Sequence, residues 1–276
     1  MDDHRLDLDA YLQHIGYDGP RTPTLATLRG LVGCHAQTLP FENLSPLLGQ
    51  PVELDVGALQ RKLVEGGRGG YCYEHNLLFA EVLRAIGFEV GGLAARVVWG
   101  RGDDTITPRS HMLLRVELEG RSRIVDVGFG GLTLTGVLDL QAEVEQDTPH
   151  ERFRLLPAEH GSYLMQAQLG SEWKSLYRFD LQPQERIDYE VSSWYLCHHP
   201  DSHFLQGLMA ARAAPGGRVA LRNNQLSVHR LGGDAQRRTL GTAAELRAVL
   251  ETDLLIALPD LPELDALLER LAALPA

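Results

Sequence analysis

Cys72 stands just after Gly69-Gly70-Tyr71, where a helical pattern begins, within the segment Arg68-Gly69-Gly70-Tyr71-Cys72-Tyr73-Glu74-His75-Asn76. Backbone N–H groups at a helix start have no partner inside the helix, and the helix dipole adds partial positive charge there. A thiol held at such a start tends to ionise, and the thiolate is the nucleophile. The glycines permit tight backbone geometry and leave room for a substrate carbonyl. The competing reading is a buried structural cysteine after a turn, because free cysteine packs readily. Two later segments carry groups that would complete a reactive site. Ser110-His111-Met112-Leu113-Leu114-Arg115-Val116 reads as a strand near whose start a histidine stands, and Arg123-Ile124-Val125-Asp126-Val127 as a strand followed by Gly128-Phe129-Gly130-Gly131. Cysteine, histidine and an acid are the nucleophile, base and orienting group of thiol-dependent acyl transfer. The imidazole takes the thiol proton and the carboxylate fixes its tautomer.

Four blocks together resemble the signature segments of the arylamine N-acetyltransferases: Pro40-Phe41-Glu42-Asn43-Leu44, Arg68 to Asn76, His111-Met112-Leu113-Leu114, and Asp126-Val127-Gly128-Phe129-Gly130. They follow that family's order and spacing, with 39 residues from Cys72 to His111 and 15 from His111 to Asp126. The likeness is strong over the N-terminal half and continues more weakly to about Asn224. It implies an enzyme of xenobiotic metabolism that moves an acetyl group from acetyl-coenzyme A to aromatic amines and hydrazines. The implied route is ping-pong, through an acetyl-cysteine on Cys72, with His111 and Asp126 as its partners. The resemblance also implies an ion pair between Glu42 and Arg68 behind the cysteine turn. It makes Phe129, Gly130 and Gly131 a candidate edge of the acyl-donor cleft, together with Trp99, Phe204 and His229. Without it, Gly-Phe-Gly-Gly reads as a bend between strands, and the other three as packing residues. Cys, His and Asp alone equally suit a transglutaminase-like thiol hydrolase or acyltransferase; only the extended match separates the two. A binding or assembly protein would have no need of all three.

Several residues carry a second reading. His75 lies three positions after Cys72, so on a helix the two side chains can be neighbours and His75 competes with His111 as base. Asp126 suits a turn, yet Val125 and Val127 favour a strand interior, where an aspartate is costly unless paired. Cys197-His198-His199 suggests zinc at first sight, but adjacent ligands followed by proline match no tetrahedral ligand spacing. No metal is expected. Pro108-Arg109-Ser110 precedes His111 where relatives often carry threonine, and Tyr73 and His75 stand where they often carry Phe and Gln.

The composition narrows the setting. The chain has 276 residues, 44% apolar and 23% charged, as in ordinary globular proteins. A net charge of −11 argues against general nucleic-acid binding, which relies on basic surface, and requires a local cationic patch for coenzyme A. The acidic start lacks the apolar run of a signal peptide. No apolar stretch approaches the roughly 18 residues of a membrane span. Three widely spaced cysteines argue against a disulfide framework and suit a reducing cytoplasm. The expected partners are acetyl-coenzyme A and small amines, with the protein a monomer or homodimer.

The elements that must position these groups divide into three regions. Residues 1–87 read as helices, with Leu8, Leu12 and Ile15 on one face and Leu25, Leu28 and Val32 on another, and with Thr24 and Asp55 placed as caps. The helix after Cys72 stops at Gly87. Residues 88–183 read as short strands at 90–99, 111–118, 122–127, 153–156, 163–169 and 173–179, which suggest a small barrel or folded sheet. Residues 184–276 read as a short helical stretch near Trp194, strands at 208–213, 218–221 and 225–230, a helix capped by Thr242 with Glu245, and an amphipathic helix over 261–274. The expected fold class is α+β: an N-terminal helical bundle carrying the nucleophile, a central β-barrel carrying base and acid, and a C-terminal α/β lid. The resemblance adds a cysteine-protease-like catalytic core.

Overall fold

The computed structural model describes residues 6–275; the polar start at 1–5 lies outside the described residues. Helices α1 (Leu8–His14), α2 (Leu25–Thr38), α3 (Leu44–Leu47), α4 (Val56–Leu59) and α5 (Cys72–Ile86) fill the first part, with a two-residue strand β1 (Phe41–Glu42) between α2 and α3. Asp7, Thr24 and Asp55 cap α1, α2 and α4 by accepting from Ala10, Thr27 and Ala58 N–H. The third helix expected from the sequence is one α-turn that widens into a π-helical segment, Gln60–Glu65. Gly87 ends α5 in the left-handed conformation, φ 102°, which a residue with a Cβ would resist. Leu78, Phe79, Val82 and Leu83 of α5 pack with Leu28, Leu31 and Val32 of α2 in one core.

Eight strands follow: β2 (Glu89–Val97), β3 (His111–Leu118), β4 (Arg121–Val125), β5 (Leu138–Asp139), β6 (Glu145–Asp147), β7 (Arg152–Pro157), β8 (Tyr163–Leu169) and β9 (Glu172–Phe179). They pair antiparallel in the order β5-β4-β3-β2-β9-β8-β7-β6. The two end strands nearly meet: the Gln146 side chain accepts from Asp139 N–H at 2.7 Å and donates to Asp139 O at 2.9 Å. The sheet is therefore a nearly closed barrel. Alternation fills it, with Leu93 and Ala95, Phe153 and Leu155, Met165 and Ala167, and Tyr177 and Phe179 in one cluster. Strand β3 is buried on both faces. Leu113 joins the barrel core while Met112, Leu114 and Val116 join the helical core around α5. That double contact carries His111 to the first turn of α5.

The last part holds α6 (Arg186–His198), α7 (His203–Gln206), strands β10 (Met209–Ala214), β11 (Gly217–Arg222), β12 (Gln225–Arg230) and β13 (Ala235–Thr239), then α8 (Ala243–Ala248) and α9 (Pro262–Ala272). Thr242 and Glu245 form the expected capping box. The second sheet runs β1-β10-β11-β12-β13, so β1 from the N-terminal segment is its edge, Phe41 opposite Ala211. Leu246, Leu250, Leu264 and Leu268 cover this sheet. Tyr189, Leu196 and Phe204 of α6 and α7 pack instead into the helical core. No helix among the described residues is long and apolar enough to cross a membrane.

Candidate active site

Extended backbone at Tyr71 leads into α5, whose first residue is Cys72. The preceding turn is built on backbone contacts: a Cβ on residue 69 would stand 2.1 Å from the Pro40 carbonyl oxygen, so only glycine fits. Glu42 N–H donates to Gly70 O at 2.8 Å, tying the turn to β1. Behind it, Glu42 has no exposed surface and accepts from Arg68 at 2.7 Å (Nη2) and 3.1 Å (Nε), and from Leu44 N–H at 2.5 Å. Glu74 accepts from Tyr71 N–H at 3.0 Å and pairs with Lys62 at 2.5 Å. Burial pushes both carboxyls up. At Glu42 the charges of Lys62 and Arg68 overcome it and hold the group below the usual carboxylate range, whereas at Glu74 burial prevails over Lys62.

His111 opens β3 and Asp126 lies one residue past β4, and the two meet at 2.7 Å, Nε2 to Oδ2. A buried carboxylate needs donors, and Asp126 has four. Tyr177 Oη adds a bond to Oδ2 at 2.9 Å, while Gly128 N–H (3.0 Å) and Asn76 Nδ2 (3.2 Å) donate to Oδ1. Burial raises the Asp126 carboxyl, but the His111 charge and these bonds outweigh it and lower it. Burial pushes the His111 ring down; the Asp126 carboxylate, and after it the neighbouring Cys72, lift it to about 10. Nε2 is committed to Asp126, which leaves Nδ1 for the thiol. Sγ also lies 3.6 Å from the Ser110 carbonyl oxygen. The backbones approach closely here as well: a Cβ on residue 128 would stand 2.8 Å from Cys72 Cα.

Two residues without an assigned role in the sequence hold this arrangement. Asn76 donates to Cys72 O at 3.2 Å, Met112 O at 2.8 Å and Asp126 Oδ1 at 3.2 Å, and accepts from Val127 N–H at 3.3 Å. One side chain thereby joins the elements bearing cysteine, histidine and aspartate. Its position four residues after Cys72, on the same helix face, was a signal the sequence carried. Tyr177 comes from β9, two strands from β3, and its ring lies 4.9 Å from that of His111. Nothing in the linear pattern marked it.

His75 does not compete for the thiol. It is fully buried, with Nδ1 2.9 Å from His35 Nε2 and Nε2 3.1 Å from Pro40 O, and burial lowers it to about 4. Of the remaining candidates, Phe129 packs edge-on against His111 at 5.1 Å, and Gly130 and Gly131 follow in the turn, Gly130 at φ 84°. Phe204 lies beneath the cysteine turn, 5.2 Å from the Tyr71 ring. Trp99 is exposed just after β2. His229 is exposed on β12, in the other sheet, opposite Arg218 and Ala235. A small pocket lined by Phe41, Val127, Gly130, Thr133 and others adjoins the turn after Asp126. No group of three or more His, Cys, Asp or Glu among the described residues is arranged to hold a metal.

A family model described as N-acetyltransferase matches residues 24–261. The chain belongs to the arylamine N-acetyltransferase family. It is 46% identical to the arylamine N-acetyltransferase of Mycolicibacterium smegmatis over 250 residues, covering 89% of this chain and 90% of that protein. Against the Escherichia coli arylamine N-acetyltransferase it is 40% identical, covering 88% and 86%. Its fold superposes on the Mycobacterium marinum arylamine N-acetyltransferase with a TM-score of 0.92 at 40% identity, covering 96% of this chain and 100% of that one. The structure of that enzyme in complex with CoA matches equally, with a TM-score of 0.92 at 39% identity over 96% and 99%.

Proposed function

We propose that this protein transfers an acetyl group from acetyl-coenzyme A to aromatic amines and hydrazines, by a ping-pong route in which Cys72 carries the acetyl group. The observation that carries this reading is the set of buried groups gathered at one helix start: a cysteine whose Sγ lies 3.6 Å from the carbonyl of Ser110, next to a histidine whose Nε2 is anchored to a buried carboxylate with four donors. His111, lifted by the Asp126 carboxylate against its burial, takes the thiol proton. The Cys72 sulfur then attacks the thioester carbonyl carbon. A new carbon–sulfur bond forms and the carbonyl oxygen becomes an oxyanion, which preorganised donors must stabilise. The Cys72 N–H, at the first position of α5, has no acceptor within the helix and is the donor we assign. Collapse breaks the bond to the coenzyme A sulfur, which leaves with the proton from His111. In the second half the amine attacks the acetyl-cysteine, His111 accepts the amine proton, and the Cys72 thiolate is released. An aromatic amine is largely neutral near pH 7, so no stronger base is required. Phe129, edge-on to His111, and the glycine turn beside it form the wall against which the acyl donor would lie.

Initial rates with acetyl-coenzyme A and an aromatic hydrazine varied together test this. Parallel double-reciprocal lines, with free coenzyme A thiol released and acetylated hydrazine formed, are expected. Intersecting lines would mean direct transfer without the acetyl-cysteine. Thiol release without acetylated product would mean hydrolysis.

A further inference from the structure

Beneath the Cys72 turn, three buried side chains unused by the acyl-transfer chemistry form an unbroken hydrogen-bond chain. Tyr11 Oη and His35 Nδ1 are 2.7 Å apart, His35 Nε2 and His75 Nδ1 2.9 Å, and His75 Nε2 and Pro40 O 3.1 Å. The three come from α1, α2 and α5, and none has exposed surface. A carbonyl oxygen only accepts, so His75 Nε2 carries hydrogen and donates to Pro40. With both imidazoles neutral, this fixes every other proton. His75 Nδ1 accepts from His35 Nε2–H, and His35 Nδ1 accepts from the Tyr11 hydroxyl. A second proton on His75 would force His35 into its other tautomer, with Nε2 accepting and Nδ1–H donating to the Tyr11 oxygen, and so reverse the upper two bonds. One on His35 would make the Tyr11 oxygen accept where it now donates.

The end of the chain is what gives it a consequence. Pro40 O also accepts from Gly70 N–H at 3.3 Å, and Gly69 packs directly on the same carbonyl. We propose that Tyr11, His35 and His75 are positioning residues for the nucleophile: a chain to the Pro40 carbonyl that holds the Gly69–Tyr71 turn presenting Cys72, and that runs in this direction only while both imidazoles are neutral. The proposal rests on Cys72 being the nucleophile.

The surroundings favour the neutral rings. His75 faces Lys62 from the π-helical segment and Glu42 from β1, of opposite sign, while His35 faces His75, His14 of α1 and the edge of Phe79. Cys34 faces Tyr11. Burial dominates at both rings, setting His35 well below its ordinary value and His75 at about 4. An opened turn would return His75 to about 6.5, so opening is favoured about 30-fold more near pH 5 than near pH 8.

Hydrogen exchange of the peptide covering residues 69–76, corrected for chemical exchange, tests this in the full chain near pH 7.5 and pH 5. Wild type, His75→Gln and His75→Leu are compared, together with the rate at which acetyl-coenzyme A acetylates Cys72. Protection in the wild type should fall about 30-fold between the two pH values. Glutamine can donate to Pro40 and accept from His35 without titrating there. His75→Gln should therefore lose far less protection and acetylate at the wild-type rate near pH 7.5. His75→Leu cuts the chain and should acetylate about 10-fold slower or worse. Equal loss of protection in wild type and His75→Gln overturns the proposal, as does wild-type acetylation by His75→Leu. If His75→Leu does not fold, the exchange comparison decides. A wild-type protein that never acetylates Cys72 refutes the acyl-transfer reading instead, while the exchange comparison still reports on the chain.

Discussion

Replacing Arg68 with alanine should cost this protein much of its stability, because the partner left behind is a carboxylate with no exposed surface. Arg68 donates twice to Glu42 Oε1, and only 12% of its side chain is exposed. Breaking such a pair from one side costs about 3–5 kcal/mol, against about 0–1 kcal/mol for a solvated surface pair. At about 2–3 °C per kcal/mol for a chain of this size, the melting temperature should fall by about 6–15 °C. The pH dependence separates a stranded charge from lost packing. In the wild type Glu42 lies below the usual carboxylate range, so its contribution is present above about 4.5 and disappears as pH falls through its lowered value. Without Arg68 the carboxyl accepts a proton more readily, so the deficit of Arg68→Ala should be smaller near pH 5 than near pH 7.5. Adding Glu42→Gln, which removes the charge but keeps the shape, should recover part of the loss. Calorimetry on wild type, Arg68→Ala and the double variant at both pH values decides. A melting temperature within about 2 °C of wild type, or a deficit unchanged by pH and by Glu42→Gln, would refute the reasoning.

Asp126→Asn should slow acetylation of Cys72 by about 10⁴-fold, because an amide can donate to His111 and so favour the wrong tautomer; single-turnover rates within tenfold of wild type would contradict this. Gly128→Ala should leave most of the fold but displace the turn from Cys72, since the new methyl would stand 2.8 Å from Cys72 Cα. Its acetylation should drop at least about tenfold, and an unchanged rate would show that the close approach is dispensable. Stability should fall on both sides of neutrality. His75, lowered to about 4, contributes fully above 6.5 and loses about 3 kcal/mol as pH falls toward 4, while the contribution of His111 is present below 6.5 and is lost as pH rises through about 10. Melting temperatures that stay level from pH 6.5 to 4.5, or rise between 7 and 10, would contradict this.

What could be read from the sequence divides along physical lines. Strands at His111–Leu118, Tyr163–Leu169 and Gln225–Arg230 follow from alternation and bulky side chains, and their observed limits coincide with the expected ones. The caps at Thr24, Asp55 and Thr242 and the stop at Gly87 are local chemistry, so neighbouring residues reveal them. Strand β13, Ala-Gln-Arg-Arg-Thr, is exposed throughout and owes its form to pairing with β12, which no alternation signals. The two-residue strands β1 and β5, largely buried, likewise owe their form to pairing, with β10 and β4. The π-helical segment after α4 was hidden because its apolar spacing still resembles a helix. Asn76 lay within reach of a sequence argument, being one turn along from Cys72. Tyr177 did not, since only the β3-β2-β9 order brings it to Asp126. The His35–His75 contact spans 40 residues and depends on two helices packing, so the sequence alone leaves His75 a rival base.

The most direct measurement is the mass of the protein after incubation with acetyl-coenzyme A in the absence of any amine, followed by peptide mapping. A gain of one acetyl group, confined to Cys72, absent in His111→Ala and removed on adding a hydrazine, is the predicted result. An unmodified protein, or an acetyl group on any other residue, would contradict the central claim.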